Sequence, residues 1–360
     1  MKKLSFAAGA ALLASTALVQ AGGIERTSQS VDIIFEEGTL VEFGVSYAMP
    51  SVSGSDPYAL DTGTLSPNYF GFSGGYKTDL GDKASLAIIF DQPFGSLADY
   101  NTTPGFYTGT KTDLVSSAIT VVGSYDVSDR FVVFGGGTYQ SMSATASVVV
   151  PLPSDLDYSI EADSEAGFGY VVGAAFQIPD IALRVALTYR STVSTTHNTT
   201  ETFVLPGPAT IPGGTIDVVT PQSVNLEFQT GVNPKTLVFG SIRWVDWSEF
   251  DLTPDTYPGG SLVDYTDDRV TFNLGVGRKL SETLSAAVTI GYEKNLHGDP
   301  SPLAPTDGFF SLGGGVTYTM GNTKISGGVK YVWLGDSTGP AGSFTDNSAI
   351  GVGINFSVAM

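Results

Sequence analysis

The sequence predicts an all-β protein: a transmembrane antiparallel β-barrel of fourteen strands with a short N-terminal plug. Three observations carry that prediction. The chain opens with an export leader. Its later segments alternate apolar and polar residues with a period of two. Short turns and long polar connections then take turns along the whole chain.

The leader comes first. Lys2 and Lys3 form a positive start, Leu4 to Val19 an apolar stretch of small and aliphatic residues, and Val19-Gln20-Ala21 a cleavage sequence. This is the layout of a secretory signal peptide and stands outside the fold. Residues 1–21 are therefore assigned to the leader, 22–38 to the plug and 39–360 to the barrel. After Gly22 no apolar run reaches the roughly 18 residues that a spanning helix needs.

Composition narrows the class. Gly (44 of 360) and aromatic residues (11%) are abundant, while charged residues (15%) fall below the usual quarter. Cysteine is absent, so an exported chain of this size is stabilised without disulfides. The formal charge is −19, and loss of Lys2 and Lys3 with the leader takes it to −21. Such a balance disfavours nucleic acid as a partner.

The strands read in order as 39–48, 67–77, 84–93, 114–125, 131–149, 167–178, 183–194, 222–231, 236–249, 268–279, 284–294, 309–319, 324–334 and 348–359. Six connections are short and carry turn residues, for example Asn233-Pro234-Lys235 and Met320-Gly321-Asn322-Thr323. The other seven are long and polar, among them Gly95 to Asp113, Val150 to Ala166, Thr195 to Pro221 and Phe250 to Asp267. A soluble sandwich has no reason to collect its long loops at one end. A membrane barrel does, with short periplasmic turns and long extracellular loops. On that reading Val224, Leu226 and Phe228 face lipid, as do Phe272, Leu274 and Val276, while Asn225, Glu227 and Asn273 face the lumen. Tyr69, Phe70, Tyr189, Trp244, Trp247, Tyr331 and Trp333 stand near strand ends, where an interfacial girdle is expected.

The leader, the fourteen-strand layout, "LTYRS" at 187–191, "SIRWVDWSEF" at 241–250 and "GVGINF" at 351–356 resemble the FadL family of outer-membrane channels for long-chain fatty acids and hydrocarbons. The terminal strand also resembles the signal read by the barrel assembly machinery, although Met360 stands where that signal has an aromatic residue. The resemblance implies a monomer in the lipid and lipopolysaccharide of the outer membrane, with no cofactor. It implies passive uptake of a hydrophobic small molecule, a plugged lumen, and lateral release beside a kinked third strand. The segment Gly22 to Gly38 is shorter than the family's usual plug and lacks its Asn-Pro-Ala stretch.

Candidate site residues fall into three groups. Asp91, Pro93 and Gly95 mark the lateral opening, because Pro93 removes a ladder donor at the end of the third strand. Arg190, Arg243 and Lys330 face inward and are candidates for a ligand carboxylate, against the alternative that Arg–Glu pairs merely balance charge. Phe94, Phe106 and Tyr107 are candidates for an apolar capture groove at the surface, against the alternative of packing onto the rim. No catalytic or metal constellation is expected: the two histidines, His197 and His297, stand in stretches assigned to loops. Two other functions remain open, a passive pore for polar solutes and a structural or adhesive barrel.

Overall fold

The computed structural model describes residues 23–102, 104–150, 156–204, 208–296 and 301–360. The leader, Gly22, Thr103, Leu152 and His297 lie outside the described residues. The strands are β1 (Leu40–Ser51), β2 (Tyr69–Asp79), β3 (Ala84–Asp91), β4 (Gly95–Asp99), β5 (Lys111–Ser128), β6 (Phe131–Val150) and β7 (Leu156–Ile178). Then come β8 (Leu183–Arg190), β9 (Val193–Val204), β10 (Pro208–Thr220), β11 (Ser223–Asn233), β12 (Thr236–Val245), β13 (Asp251–Leu252) and β14 (Val263–Asp264). The last are β15 (Arg269–Lys279), β16 (Leu284–Glu293), β17 (Phe309–Met320), β18 (Thr323–Leu334), β19 (Ser337–Gly339), β20 (Gly342–Phe344) and β21 (Ser348–Ala359).

Fourteen of these close a ring in the order β1-β2-β3-β5-β6-β7-β8-β11-β12-β15-β16-β17-β18-β21, and every neighbouring pair is antiparallel. Closure is complete between the first and last strands, from Leu40↔Ala359 to Ser51↔Ser348. A closed ring leaves no strand edge to hydrocarbon except where a ladder is interrupted, and closure is the condition for strands to span a bilayer.

The period-two pattern points its apolar residues outward. Phe272, Leu274 and Val276 are exposed while Thr271 is buried, and Ile350, Val352, Ile354 and Phe356 are exposed while Asn355 is buried. The exposed aromatic pairs Tyr331–Trp333 (4.6 Å between centroids) and Tyr139–Phe168 (5.4 Å) mark the upper rim of the apolar band. Beyond that rim the outward positions become polar: Thr145, Glu161, Ser194, Thr196 and Asn198. Tyr69 and Trp247 do not join the girdle. Tyr69 lies under the Arg26 guanidinium, 4.2 Å from the ring centroid, and Trp247 is buried against Phe94 and Phe250.

Several long connections are not loops. β5, β6 and β7 run on past the apolar band, so that Thr112↔Ala146 and Tyr158↔Val148 still pair above it. The stretch from Val193 to Thr220 is a hairpin, β9–β10, stacked on β7 through Tyr158↔Phe203 to Ala162↔Thr199. Its outward residues are Ser, Thr and Asn rather than aliphatic, so it reads as loop in the sequence although inward Val193, His197, Ile216 and Val218 alternate with them. His197 is therefore a wall residue. Its Nδ1 meets the Asp163 carbonyl and its Nε2 the Thr195 hydroxyl, both at 2.7 Å.

The N-terminal segment lies inside the barrel. Val31, Ile33 and Ile34 are buried with Val122, Val132, Phe134 and Val171 of the wall. The short 3-10 turn Asp32–Phe35 holds them there, with Arg184 stacked on the Phe35 ring at 4.3 Å.

A charge on the lipid face should be costly and one above the band should not. Val288→Arg, at an exposed mid-strand position, is expected to destabilise the barrel by about 2–4 kcal/mol, and Thr196→Arg on β9 by about 0–1 kcal/mol. Denaturant titration in lipid vesicles, with the gel shift between unboiled and boiled samples as the folding signal, separates them. Equal costs would mean that β16 does not face lipid.

Candidate functional site

The ladder around the ring is interrupted where the sequence places Pro93. β2 and β3 pair only from Gly74↔Phe90 to Asp79↔Ser85. β3 ends at Asp91, and β4 resumes at Gly95 along β5, from Gly95↔Val115 to Asp99↔Lys111. The upper part of β2, from Tyr69 to Ser73, thus has no strand on its β3 side. Side chains satisfy part of the exposed backbone. Gln92 Oε1 accepts the Phe72 amide at 2.9 Å, and the Ser116 hydroxyl accepts the Phe94 amide at 2.8 Å.

The N-terminal segment pairs from within with the chain that follows β3. The Arg26 amide donates to the Pro93 carbonyl at 2.7 Å, and the Gly95 amide donates to the Ile24 carbonyl at 2.8 Å. Glu25 faces Phe94 across this short bridge. Asp91, the last residue of β3, accepts the Thr27 hydroxyl at 2.8 Å. Gly95 does not adopt the left-handed conformation. It provides room instead: a Cβ there would run into the Arg26 guanidinium. A cavity of about 140 Å³ opens at the interruption, between Arg26, Tyr69, Phe72, Ile89, Asp91 and Gln92.

Three inward arginines are engaged by the same segment. Arg243 pairs with Glu25, both buried, and also donates to Asn225 Oδ1 at 2.7 Å and Gln29 Oε1 at 3.1 Å. Arg190 donates to the Gln29 carbonyl at 2.8 Å and reaches Thr120 and Thr138. Arg184 pairs with Asp32 at 2.8 Å. Lys330 is buried on β18, where neighbouring positions on β17 and β21 are Gly313 and Gly351. Sequence reasoning sees these cations facing inward but not their partners, which come from up to 218 residues away.

Above the segment lies an apolar chamber of about 50 Å³, room for a few water molecules. Leu114, Met142, Ile160, Ile216, Val218 and Leu303 dominate its lining, and Ile24 forms its floor. Its polar contributors are Ser96, Thr112 and His197, and the histidine ring is already held by Asp163 and Thr195. Among the described residues no carboxylate, lysine or arginine lines it. Phe94 belongs to the cluster around this chamber and is 2% exposed, edge-on to Trp247 at 6.0 Å. The break at Pro93 turns it inward, so it is no part of an exposed groove.

Phe106 is half-buried and Tyr107 buried in a cluster with Val52, Leu65 and Phe344, yet both border an outer groove. With Tyr58, Val148, Tyr257 and Pro340 they line an outer groove of about 540 Å³. Tyr107 donates to the Ala341 carbonyl at 2.7 Å, and burial, reinforced by the nearby Asp56 carboxylate, pushes its hydroxyl up to about 12. It stays protonated, and the groove wall keeps its donor. The chamber itself was hidden from sequence reasoning, because Ile216 and Val218 lie in a stretch that reads as loop. The alternation Ile216-Asp217-Val218 was its one available signal.

Arg243→Leu would leave Glu25 buried without its cation, a loss of about 3–5 kcal/mol that falls on the N-terminal segment. That segment is expected to become accessible to protease while the barrel keeps its gel shift on boiling. An equally protected segment would mean the ion pair does not hold it.

A model of the family described as "Outer membrane protein transport protein (OMPP1/FadL/TodX)" matches residues 39–339. No curated protein matches the sequence. Among solved structures, a FadL homologue of Pseudomonas aeruginosa superposes with a TM-score of 0.76 at 14% identity, covering 96% of this chain and 99% of that one. The Pseudomonas putida toluene transporter TodX gives 0.69 at 12% identity, covering 95% and 96%. The Ralstonia pickettii toluene transporter TbuX gives 0.64 at 15% identity, covering 90% of each. At these identities the superpositions speak for the fold, while the family match spans most of the sequence. The chain belongs to the OMPP1/FadL/TodX family of outer-membrane transport proteins, hydrophobic-compound channels of the Gram-negative outer membrane.

Proposed function

We propose that the protein is a monomeric, passive channel for small neutral hydrophobic molecules, with monoaromatic hydrocarbons as the substrate class. The carrying observation is the chamber: its lining is mostly apolar and, among the described residues, contains no charged side chain. A hydrocarbon gains free energy by leaving water for such a space, at about 25 cal/mol per Å² of apolar surface. A carboxylate would lose its hydration there without a cation to replace it. The toluene transporters among the structural matches agree with this class.

In this reading Phe106 and Tyr107 line the groove that captures the molecule, and the chamber below, which at about 50 Å³ must widen to admit an aromatic ring, receives it. Residues 23–38 act as the plug. The molecule leaves sideways at the interruption bounded by Asp91, Pro93 and Gly95, where an apolar solute can pass to the bilayer without entering the periplasm. Arg190 and Arg243 then act by holding the plug rather than the ligand. A lumen crossed by these contacts supports a solute-specific channel over an open pore for polar solutes.

A second reading, uptake of a fatty acid, is favoured by one observation. Nε and Nη2 of Arg26 are buried beside the lateral cavity with no hydrogen-bond partner. They would suit a carboxylate.

Uptake by cells relying on this channel separates the readings. Toluene uptake should exceed that of oleate by a wide margin, and Arg26→Met should leave toluene uptake close to wild type. Oleate uptake abolished by Arg26→Met would establish the second reading instead. Gly95→Val, which drives a side chain into the Arg26 position, should cut toluene uptake about tenfold while the barrel still shifts on boiling. Wild-type uptake by that variant would rule out exit at this strand.

A further inference from the structure

The outer groove and the inner chamber share two side chains. Leu262 and Leu303 line both. Leu303 is 4% exposed and Leu262 half-buried, and both stand between the outer groove and the chamber. They come from different connections. Leu262 sits beside the short hairpin of β13 and β14, its amide donating to the Leu252 carbonyl at 2.8 Å. Leu303 sits in the turn Ser301–Ala304, closed by the Ala304 amide on the Ser301 carbonyl at 3.0 Å.

One hydroxyl ties the two together. Ser301 Oγ donates to the Leu262 carbonyl at 3.0 Å and accepts the Leu303 amide at 3.2 Å. The turn is tethered on its other side to the strand that follows the ladder interruption. Ser96 Oγ donates to the Leu303 carbonyl at 3.2 Å, and the Tyr100 hydroxyl donates to the Pro302 carbonyl at 2.7 Å.

We propose that Leu262 and Leu303 form the constriction through which a ligand passes from groove to chamber, with the Ser301 hydroxyl as its latch. This rests on the channel reading above and adds to it the residues that set the entry rate and the admitted size. Two opposed leucines suit the task physically. They present no polar group that a hydrocarbon would have to desolvate, and their contact is worth little enough to open thermally. The latch consists of single neutral hydrogen bonds, each of the modest net strength that reversible opening requires.

The protein has no cysteine, so Leu303→Cys introduces a single thiol. Unmodified, this smaller side chain should admit toluene at least as fast as the wild type. After reaction with N-benzylmaleimide the adduct should block the passage and slow toluene uptake about tenfold. Thr200→Cys, exposed on the outer face of β9, should react faster and leave uptake unchanged. Ser301→Ala, combined with Leu303→Cys, should speed the maleimide reaction, and toluene should slow it. A modified Leu303→Cys protein that transports at the wild-type rate overturns the proposal. So does a thiol that never reacts in a chain that still takes up toluene, because the constriction would then not open. Wild-type uptake is measured alongside. Failure of the neutral-ligand reading shows there, and failure of the constriction shows only in the adduct.

Discussion

No backbone amide or carbonyl can stand unpaired in hydrocarbon, and that constraint shapes every level of this molecule. It forces the ring to close from Leu40↔Ala359 to Ser51↔Ser348. It also explains the care spent where the ladder breaks. At the end of β3 the free groups are taken up by Gln92, by Ser116 and by the backbone at Ile24 and Arg26. A second interruption, on β7 between its pairing with β8 and its pairing with β9, is bridged in a similar manner. There the Tyr170 amide donates to Ser191 Oγ at 2.9 Å, and Gly167 and Gly169 leave room for the chain at Ser191 to Thr195. A break that costs so many compensating contacts is a feature the fold maintains.

The N-terminal segment is held by charge and hydrogen bonds more than by apolar burial. Glu25, Gln29 and Asp32 engage Arg243, Arg190 and Arg184 in turn, and Ser30 donates to Glu227 Oε1 at 2.7 Å. Charged groups buried in this way gain by meeting a partner and lose heavily if one is removed. The segment therefore has one well-defined position and engages Arg184, Arg190 and Arg243. Above it lies an apolar chamber, and its local lining supports the choice of ligand, although buried Glu201 and the Arg269–Asp307 pair stand elsewhere at the upper ends of the wall.

Much of this was legible in the residues. The six short turns, the outward rows such as Ile350, Val352, Ile354 and Phe356, and the ring of fourteen strands follow from a period of two and from turn chemistry. Pro93 announced a break because a missing N–H is a local fact. Other features were not local. The hairpin β9–β10 looked like loop because its outward face meets water and carries Ser, Thr and Asn, which removes the apolar half of the usual barrel signal. Tyr69 and Trp247 looked like girdle residues because aromatic content near a strand end does not say which way the ring points.

The sequence by itself determined the class of structure, the number of crossings and the place where one ladder fails, since each depends on neighbours a few positions away. Only the tertiary structure decided what meets across the lumen. That Arg243 serves Glu25, that Gly95 makes room for Arg26, and that Leu262 and Leu303 divide two cavities depends on residues separated by tens to hundreds of positions. Alternation fixes the face on which a side chain stands, and only closure of the ring fixes its partner.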